Sequence, residues 1–232
     1  MALETAKAEA RLNEALSECR KKNFEKGADL LDTLVNDDPD NWKARNAYAK
    51  VLVLLKEQDA AIEQFKKAID IRPDFSEAII NLAQTFYKTG NYPDAKTYYQ
   101  RMVEYEPKNA EGHFGLANVY RKLEKFKDAI NEYGKALELN PRDAQSYINL
   151  GLSHYGNGDY HDAIYNFKMA LELGGDNRKA FMNLALSLEK QDRYSEATEN
   201  WTRFIDMIGE NEKKLPELEL AIEHLQMCKT KF

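Results

Sequence analysis

The chain has 232 residues and a net charge of −6. Proteins that grip phosphate carry a basic surplus, so this charge argues against nucleic-acid binding. No run of about 18 apolar residues occurs, which argues against direct membrane insertion. The first residues lack the apolar core of a secretory signal, and Cys19 and Cys228 lie near opposite ends; both features favour a reducing, cytoplasmic location.

One phrase recurs along the chain with a period of 34 residues. Its copies end at Pro39, Pro73, Pro107 and Pro141. Three further columns keep the spacing: small residues at Ala49, Ala83, Ala117, Gly151 and Ala185, alanines at Ala61, Ala95, Ala129, Ala163 and Ala197, and aromatic residues at Phe65, Tyr99, Tyr133, Phe167 and Trp201. Such a period is typical of arrays whose units stack on one another.

Each unit has the pattern of two amphipathic helices. Tyr147, Leu150 and His154 lie at i, i+3 and i+7, which puts them on one helical face. The glycines of residues 156–159 end that helix. A second apolar face follows around Phe167, so the unit is predicted to be a helix-turn-helix.

In chain order, the pattern predicts six helical pairs and a final helix. The first pair, residues 8–41, is degenerate: it aligns only if one residue is missing from its turn, and Leu16 then occupies the small-residue column. The regular pairs cover residues 42–75, 76–109, 110–143, 144–177 and 178–211. Within residues 212–232, Pro216 begins a capping helix that covers the last apolar face of the array. Its own apolar face comprises Leu218, Ala221, Ile222 and Leu225.

These columns resemble the tetratricopeptide repeat (TPR) family over residues 8–211. The small, alanine, aromatic and proline positions match, but other residues take the tryptophan position: Arg45, Ile79, His113, Tyr147 and Phe181. The resemblance implies an all-α, right-handed α-solenoid of tandem helix-turn-helix units with a C-terminal capping helix. It also implies that the first helix of each unit lines a concave groove.

The inner side of the first helices is the predicted peptide-binding groove. Its residues are Lys50, Ile80, Gln84, Tyr87, Lys88, Phe114, Asn118, Arg121, Lys122, Ile148, Asn149, Leu152, Lys179 and Met182. Basic residues outnumber the acids of this face, which are Glu77, Glu111 and Glu189. An apolar strip flanked by lysines suits a protein or peptide with acidic and apolar residues. The alternative is that Ile80, Phe114, Ile148 and Met182 pack against neighbouring first helices.

Some TPR proteins bind a peptide's C-terminal carboxylate with two asparagines and basic residues. Asn118, Asn149 and Lys179 occupy comparable slots here. Phe114 and Asn183 stand where the remaining basic residues belong, which argues against such a clamp.

Two functions remain open at this point, and both are those of a non-catalytic scaffold. In the first, the groove binds a peptide or helix of a foreign partner. In the second, the chain is a self-assembling structural scaffold and a homo-oligomer, as in the TPR scaffolds that coat bacterial magnetosomes. Leu16 is too large for the small-residue column, so this alternative has the first helix leave its repeat and enter a neighbour's groove.

The sequence carries no motif for catalysis or for a cofactor. Residues 156–159 form a turn rather than a phosphate loop, and the histidines and cysteines lack zinc-ligand spacing. Glu132 and Glu138 are predicted to lie on solvated helix faces. We therefore predict that the chain is not an enzyme and that it binds neither cofactor nor metal.

Overall fold

The computed structural model describes residues 2–208 and 216–231, with side chains from residue 6 onward. These ranges contain thirteen α-helices and no strand. The helices are α1 Ala2–Arg20, α2 Phe24–Asp37, α3 Trp42–Leu54, α4 Gln58–Ile71, α5 Ser76–Lys88, α6 Tyr92–Tyr105, α7 Ala110–Lys122, α8 Phe126–Leu139, α9 Ala144–Asn157, α10 Tyr160–Glu172, α11 Asn177–Glu189, α12 Tyr194–Asp206 and α13 Pro216–Lys229. The predicted all-α repeat fold is confirmed, while the predicted boundary at residues 211 and 212 lies outside the described residues.

The helices form two compact units, Met1–Lys108 with α1–α6 and Asn109–Phe232 with α7–α13. Within each unit, every helix packs on the next one along the chain. The first helices of successive pairs also touch, α1 with α3 and α3 with α5 in unit 1, and α7 with α9 and α9 with α11 in unit 2. Each unit is therefore a stack of helical pairs whose first helices lie side by side.

Asparagine and aspartate side chains start most of the first helices. The Oδ1 atoms of Asn41 and Asn109 each accept a hydrogen bond, 3.0 Å long, from a backbone N–H in the first turn of α3 and α7. Asp143 and Asp176 cap α9 and α11 in the same way. A side-chain acceptor here satisfies a backbone N–H that has no partner within the helix. The repeated start thus has a local cause in the sequence.

The turns between paired helices share one backbone conformation. Positive φ values occur at Lys22, Lys56 and Gly90 in unit 1, and at Glu124, Gly158 and Asp192 in unit 2. Successive members of this series are 34 residues apart, and the first pair is in register with the others. The predicted one-residue deletion in its turn is therefore wrong.

Ala15, rather than Leu16, occupies the small-residue column of the first pair. Ala15 is fully buried and lies 34 residues before Ala49, whereas Leu16 is half-buried. Gly27 provides the second small position: a Cβ placed there would lie 2.4 Å from Sγ of Cys19. The first pair therefore packs by the same close approach of small residues as the regular repeats.

The capping helix begins at Pro216 as predicted, but its buried face differs from the predicted one. Ala221 and Cys228 are fully buried, and Leu225 is half-buried. Ile222 is 41% exposed, because it lies about 100° around the helix from Ala221. Its assignment to the apolar face is wrong.

Candidate peptide-binding site

An open groove lies along the first helices of unit 1. Its volume is about 460 Å³, and its lining includes Leu12, Leu16 and Cys19 from α1, Ala47, Val51 and Leu54 from α3, and Phe75 before α5. Leu54 is 59% exposed, an unusual position for a large apolar side chain. We name this surface the α1–α3 groove.

Leu16 is a wall of this groove, and the sequence reasoning missed it. It lies 34 residues before Lys50, so it occupies the inner slot that Lys50 and Gln84 occupy in later repeats. The one-residue shift assumed for the first pair hid this equivalence. The spacing from Ala15 to Ala49 was the signal that would have revealed it.

The lysines at the border of the groove make only weak interactions with the rest of the protein. Lys50 Nζ lies 2.8 Å from Glu77 Oε1, and the two side chains are 53% and 51% exposed. An exposed pair of this kind contributes about 0–1 kcal/mol, so a ligand can replace it at small cost. Lys43 Nζ lies 5.3 Å from the centre of the Trp42 ring. Lys88 is exposed as well, but it does not line this groove. The border is therefore positively charged and adaptable.

An aromatic corner stands at one end of the α1–α3 groove. Trp42 and Phe75 meet edge to face with their ring centres 4.6 Å apart. The guanidinium carbon of Arg72 lies 4.5 Å from the Trp42 ring centre. Tryptophan and arginine are frequent anchors of protein interfaces, so this corner extends the candidate surface.

The other predicted residues of unit 1 differ in accessibility. Ile80 is only 8% exposed, so it contributes to packing between helices, in line with the alternative interpretation. Gln84 is half-buried, and Tyr87 is half-buried with its ring centre 5.6 Å from that of Tyr92.

The predicted apolar strip of unit 2 is largely covered by its own neighbours. Ile148 is 1% exposed and gives almost no surface to a partner; its assignment as a contact residue is corrected, because it packs between helices. Phe114 is half-buried, with its ring centre 5.8 Å from that of Tyr133. Leu152 and Met182 are partly buried against the core around Trp201.

An amide network occupies the inner face between α7 and α9. The Tyr133 hydroxyl donates to Asn118 Oδ1 at 2.6 Å, and Asn149 Nδ2 donates to the same oxygen at 3.0 Å. Gln145 Nε2 donates to Asn149 Oδ1 at 3.1 Å. Asn149 is 7% exposed. Its amide is already hydrogen-bonded to neighbouring side chains, so it is not free to bind a ligand.

Basic residues of unit 2 show contrasting environments. Arg121 is half-buried, and its Nε is buried without a hydrogen-bond partner among the described residues. Lys122 is exposed. Lys179 Nζ lies 3.4 Å from Asp176, the residue that caps α11. Lys122 is thus accessible to an anionic group, whereas Lys179 already has one and the Nε of Arg121 is shielded from solvent.

Glu189 does not belong to the inner-face charge, although the sequence suggested so. Its side chain is only 10% exposed. It accepts from Trp201 Nε1 at 2.5 Å and from the Cys228 thiol at 3.4 Å, and it lies 2.8 Å from His224 Nδ1. Burial, together with this carboxylate, raises the pKa of the Cys228 thiol to about 12. Glu189 is therefore the polar anchor of the capping helix.

Glu132 is also buried, contrary to the prediction of a solvated position. It is 7% exposed, lies 2.6 Å from His113 Nδ1, and accepts from Lys135 Nζ at 2.7 Å. The group joins α7 to α8 where the TPR signature has its tryptophan. Sequence periodicity alone missed it because a carboxylate on a second helix is usually solvated. Glu138 is exposed, as predicted.

Residues 2–208 and 216–231 contain neither a membrane-spanning helix nor a cluster of metal ligands. No helix among them combines the length and apolar character needed to cross a bilayer. In the same part of the chain, no three His, Cys, Asp or Glu side chains converge in an arrangement able to hold a metal ion.

The sequence matches models of the tetratricopeptide repeat along most of its length. One such model matches residues 6–74 and 148–199, a second matches residues 56–113, and a TPR repeat model matches residues 117–158. The chain belongs to the tetratricopeptide repeat family. This fold is typical of non-catalytic scaffolds for protein interaction.

Several solved structures share the fold. A crystal structure of MamA is 22% identical, with a TM-score of 0.68 over 72% of this chain and 91% of that one. PilF of Pseudomonas aeruginosa is 18% identical, with a TM-score of 0.75 over 95% and 96%. YrrB, described as a TPR protein with an unusual peptide-binding site, is 20% identical, with a TM-score of 0.71 over 86% and 99%. At these identities the likeness concerns the fold, and comparison with curated proteins gave no match.

Proposed function

We propose that this protein is a non-catalytic interaction scaffold that binds a peptide or helix with acidic and apolar residues on the inner faces of its first helices. The observation that carries the proposal is the open α1–α3 groove, where Leu16 and Leu54 offer apolar surface beside Lys43 and Lys50. Burial of a ligand's apolar side chains there supplies affinity, about 25 cal/mol per Å² before ordering costs. The lysines attract acidic groups and fix the ligand's register.

The inner face of unit 2 is proposed as a second, more polar part of the binding surface. Lys122 is exposed and Arg121 is half-buried, and neither forms an ion pair among the described residues. Leu152 and Met182 add partly exposed apolar surface. Acidic residues of a ligand suit this face better than large apolar ones.

The first helix packs in its own repeat, which removes the reason for self-assembly through a displaced α1. That hypothesis rested on a misfit of Leu16 in the small-residue column, but Ala15 occupies that position. Leu12 and Leu16 form a groove wall, so removing α1 would remove part of the proposed binding surface.

A peptide selection on the full chain tests the proposal. Peptides selected by display would be measured by calorimetry against the natural chain and against Leu16→Lys, Lys50→Glu and Lys122→Glu. Lys67→Glu on α4 and Lys127→Glu on α8 are matched controls, since both lysines are exposed on second helices. We expect selection of acidic, apolar peptides whose binding weakens about tenfold or more in the groove variants and with added salt.

Two results would contradict this function. One is selection of peptides that bind the groove variants and the controls equally well. The other is an affinity that does not change with salt, because exposed lysines act through screened electrostatics. Circular dichroism on each variant would ensure that a loss of binding does not come from a loss of fold.

A further inference from the structure

The capping helix exposes apolar and acidic side chains on one flank. Leu220 and Met227 are 43% and 38% exposed and lie two helical turns apart on the same side of α13. Glu223 lies between them and Glu219 borders them, both exposed. We name these four residues the α13 strip. It has the acidic and apolar character expected of a ligand for the α1–α3 groove.

The dimensions of the strip and of the groove agree. Leu220 and Met227 are seven residues apart, and so are Leu12 and Cys19 on the groove wall. At 1.5 Å per residue, each spacing is about 10 Å. Two apolar side chains of the strip therefore match the length of the apolar wall.

The charges of the two surfaces are opposite. Glu219 and Glu223 give the strip a negative charge, and no ion pair involves either of them among the described residues. The groove has Lys43 and Lys50 at its border, where the exposed Lys50–Glu77 pair is easily replaced. Docking would bring the carboxylates of the strip to these lysines.

We infer that a second copy of this chain docks its α13 strip in the α1–α3 groove. The inference rests on the proposed function, because it names the protein's own capping helix as a ligand of that groove. The two surfaces differ, so the contact is heterologous: each docked pair leaves one groove and one strip free. The interface is small and the association weak, and chains of molecules grow as the concentration rises.

The test is sedimentation of the full chain over a wide concentration range. The groove variant is Leu16→Lys, and the strip variant combines Leu220→Lys with Met227→Lys. Ile222→Lys is the matched control, since Ile222 is 41% exposed on the other flank of α13. Lys50→Glu combined with Glu223→Lys reverses the proposed charge contact, and thermal melts report whether each variant folds.

The natural chain is expected to show an average mass that rises with concentration. The groove variant and the strip variant each require at least about tenfold higher concentration for the same association, while the Ile222→Lys control and the charge-reversed variant associate as the natural chain does. Mixing the two variants restores one contact, because one retains the strip and the other the groove. The mixture therefore forms a one-to-one pair that grows no further.

The inference is overturned if the natural chain stays monomeric at every concentration, if the groove and strip variants associate as the natural chain does, or if their mixture forms no pair. An α13 strip that folds onto its own groove gives a concentration-independent mass, which also overturns it. Selected peptides that bind a strictly monomeric chain leave the proposed function standing. Loss of both peptide binding and association overturns the two together.

Discussion

The inner faces of the two units come from the same 34-residue pattern and differ in what their slots contain. In unit 1, Leu16 and Lys50 occupy successive copies of one slot and leave an open apolar groove. In unit 2, Asn118 occupies that slot and is held by Tyr133 and Asn149. A common backbone thus supports an open groove in one unit and, in the other, an equivalent slot that is filled by its own side chains.

A hydroxyl in the aromatic column contributes to this difference. Tyr133 reaches Asn118 with its hydroxyl, whereas Phe65, the equivalent residue two repeats earlier, has no hydroxyl to offer Lys50. Lys50 extends instead across the surface to Glu77. A column that looks uniformly aromatic can therefore decide whether the neighbouring inner slot is fixed or free, because a buried hydroxyl needs a partner.

The two thiols provide the largest expected contrast between the open and the closed surface. Cys19 lines the α1–α3 groove, whereas Cys228 is fully buried beneath Glu189 with a pKa of about 12. Below that pH the Cys228 thiol stays protonated, so it requires both local opening and loss of a proton before it reacts. Burial also raises the pKa of the Cys19 thiol, so the difference comes mainly from access. We expect a thiol reagent at neutral pH to label Cys19 about a hundredfold faster or more.

Mass spectrometry of timed samples would measure the labelling. Cys19→Ser is the control that isolates Cys228. Because the pKa of Cys228 is raised, its labelling should accelerate as the pH rises towards about 12. Equal labelling of both thiols at neutral pH would contradict a sealed capping helix.

The small-residue column allows a test of the register in unit 1. Ala15→Leu and Ala117→Leu each force a large side chain between closely packed helices, so each should lower the free energy of unfolding by about 1–3 kcal/mol. Leu16→Ala should cost less than Ala15→Leu, because Leu16 is only half-buried. Chemical denaturation measures all three. A tolerated Ala15→Leu would argue for the shifted register.

The buried and exposed carboxylates of the inner slots should also differ. Glu189→Ala leaves Trp201 Nε1 without its acceptor and is expected to cost about 1–3 kcal/mol. Glu77→Ala removes only an exposed pair with Lys50 and is expected to cost no more than about 1 kcal/mol. Thermal melts compare the two. Similar costs would mean that Glu189 is not the anchor of α13.

The fold was predictable from the sequence because its causes are local and repeated. The column of Ala49 and Ala83, the turns near Gly90 and Gly158, and Pro216 at the start of α13 all recur or act within a few residues. Errors arose where one residue decides between equivalent alignments. Placing Leu16 one position off concealed a groove wall, although Ala15 satisfied the period.

The candidate site was less predictable because its residues act across helices. An inner position does not reveal whether its side chain is exposed: Ile148 is buried, while Lys50 at a neighbouring slot is open. Glu132 and Glu189 look like surface carboxylates until His113 and Trp201 are brought beside them. These contacts join residues 19 and 12 positions apart, beyond the reach of a helical period.

The turns should show the smallest effects, and they test whether the units differ only on their inner faces. Lys56 in unit 1 and Glu124 in unit 2 have φ values of 66° and 56°. A left-handed backbone costs such residues about 1–2 kcal/mol, and glycine removes that cost while adding freedom to the unfolded chain. We expect Lys56→Gly and Glu124→Gly each to raise the free energy of unfolding by a few tenths to about 1 kcal/mol. Gly90→Ala and Gly158→Ala, at equivalent turns, should lower it. Denaturant titrations resolve these signs. An equal rise in the free energy of unfolding for both variants would mean that the turns of the two units are equivalent and that the units differ on their inner faces. A fall for one variant would show that the turn in that unit depends on the replaced side chain.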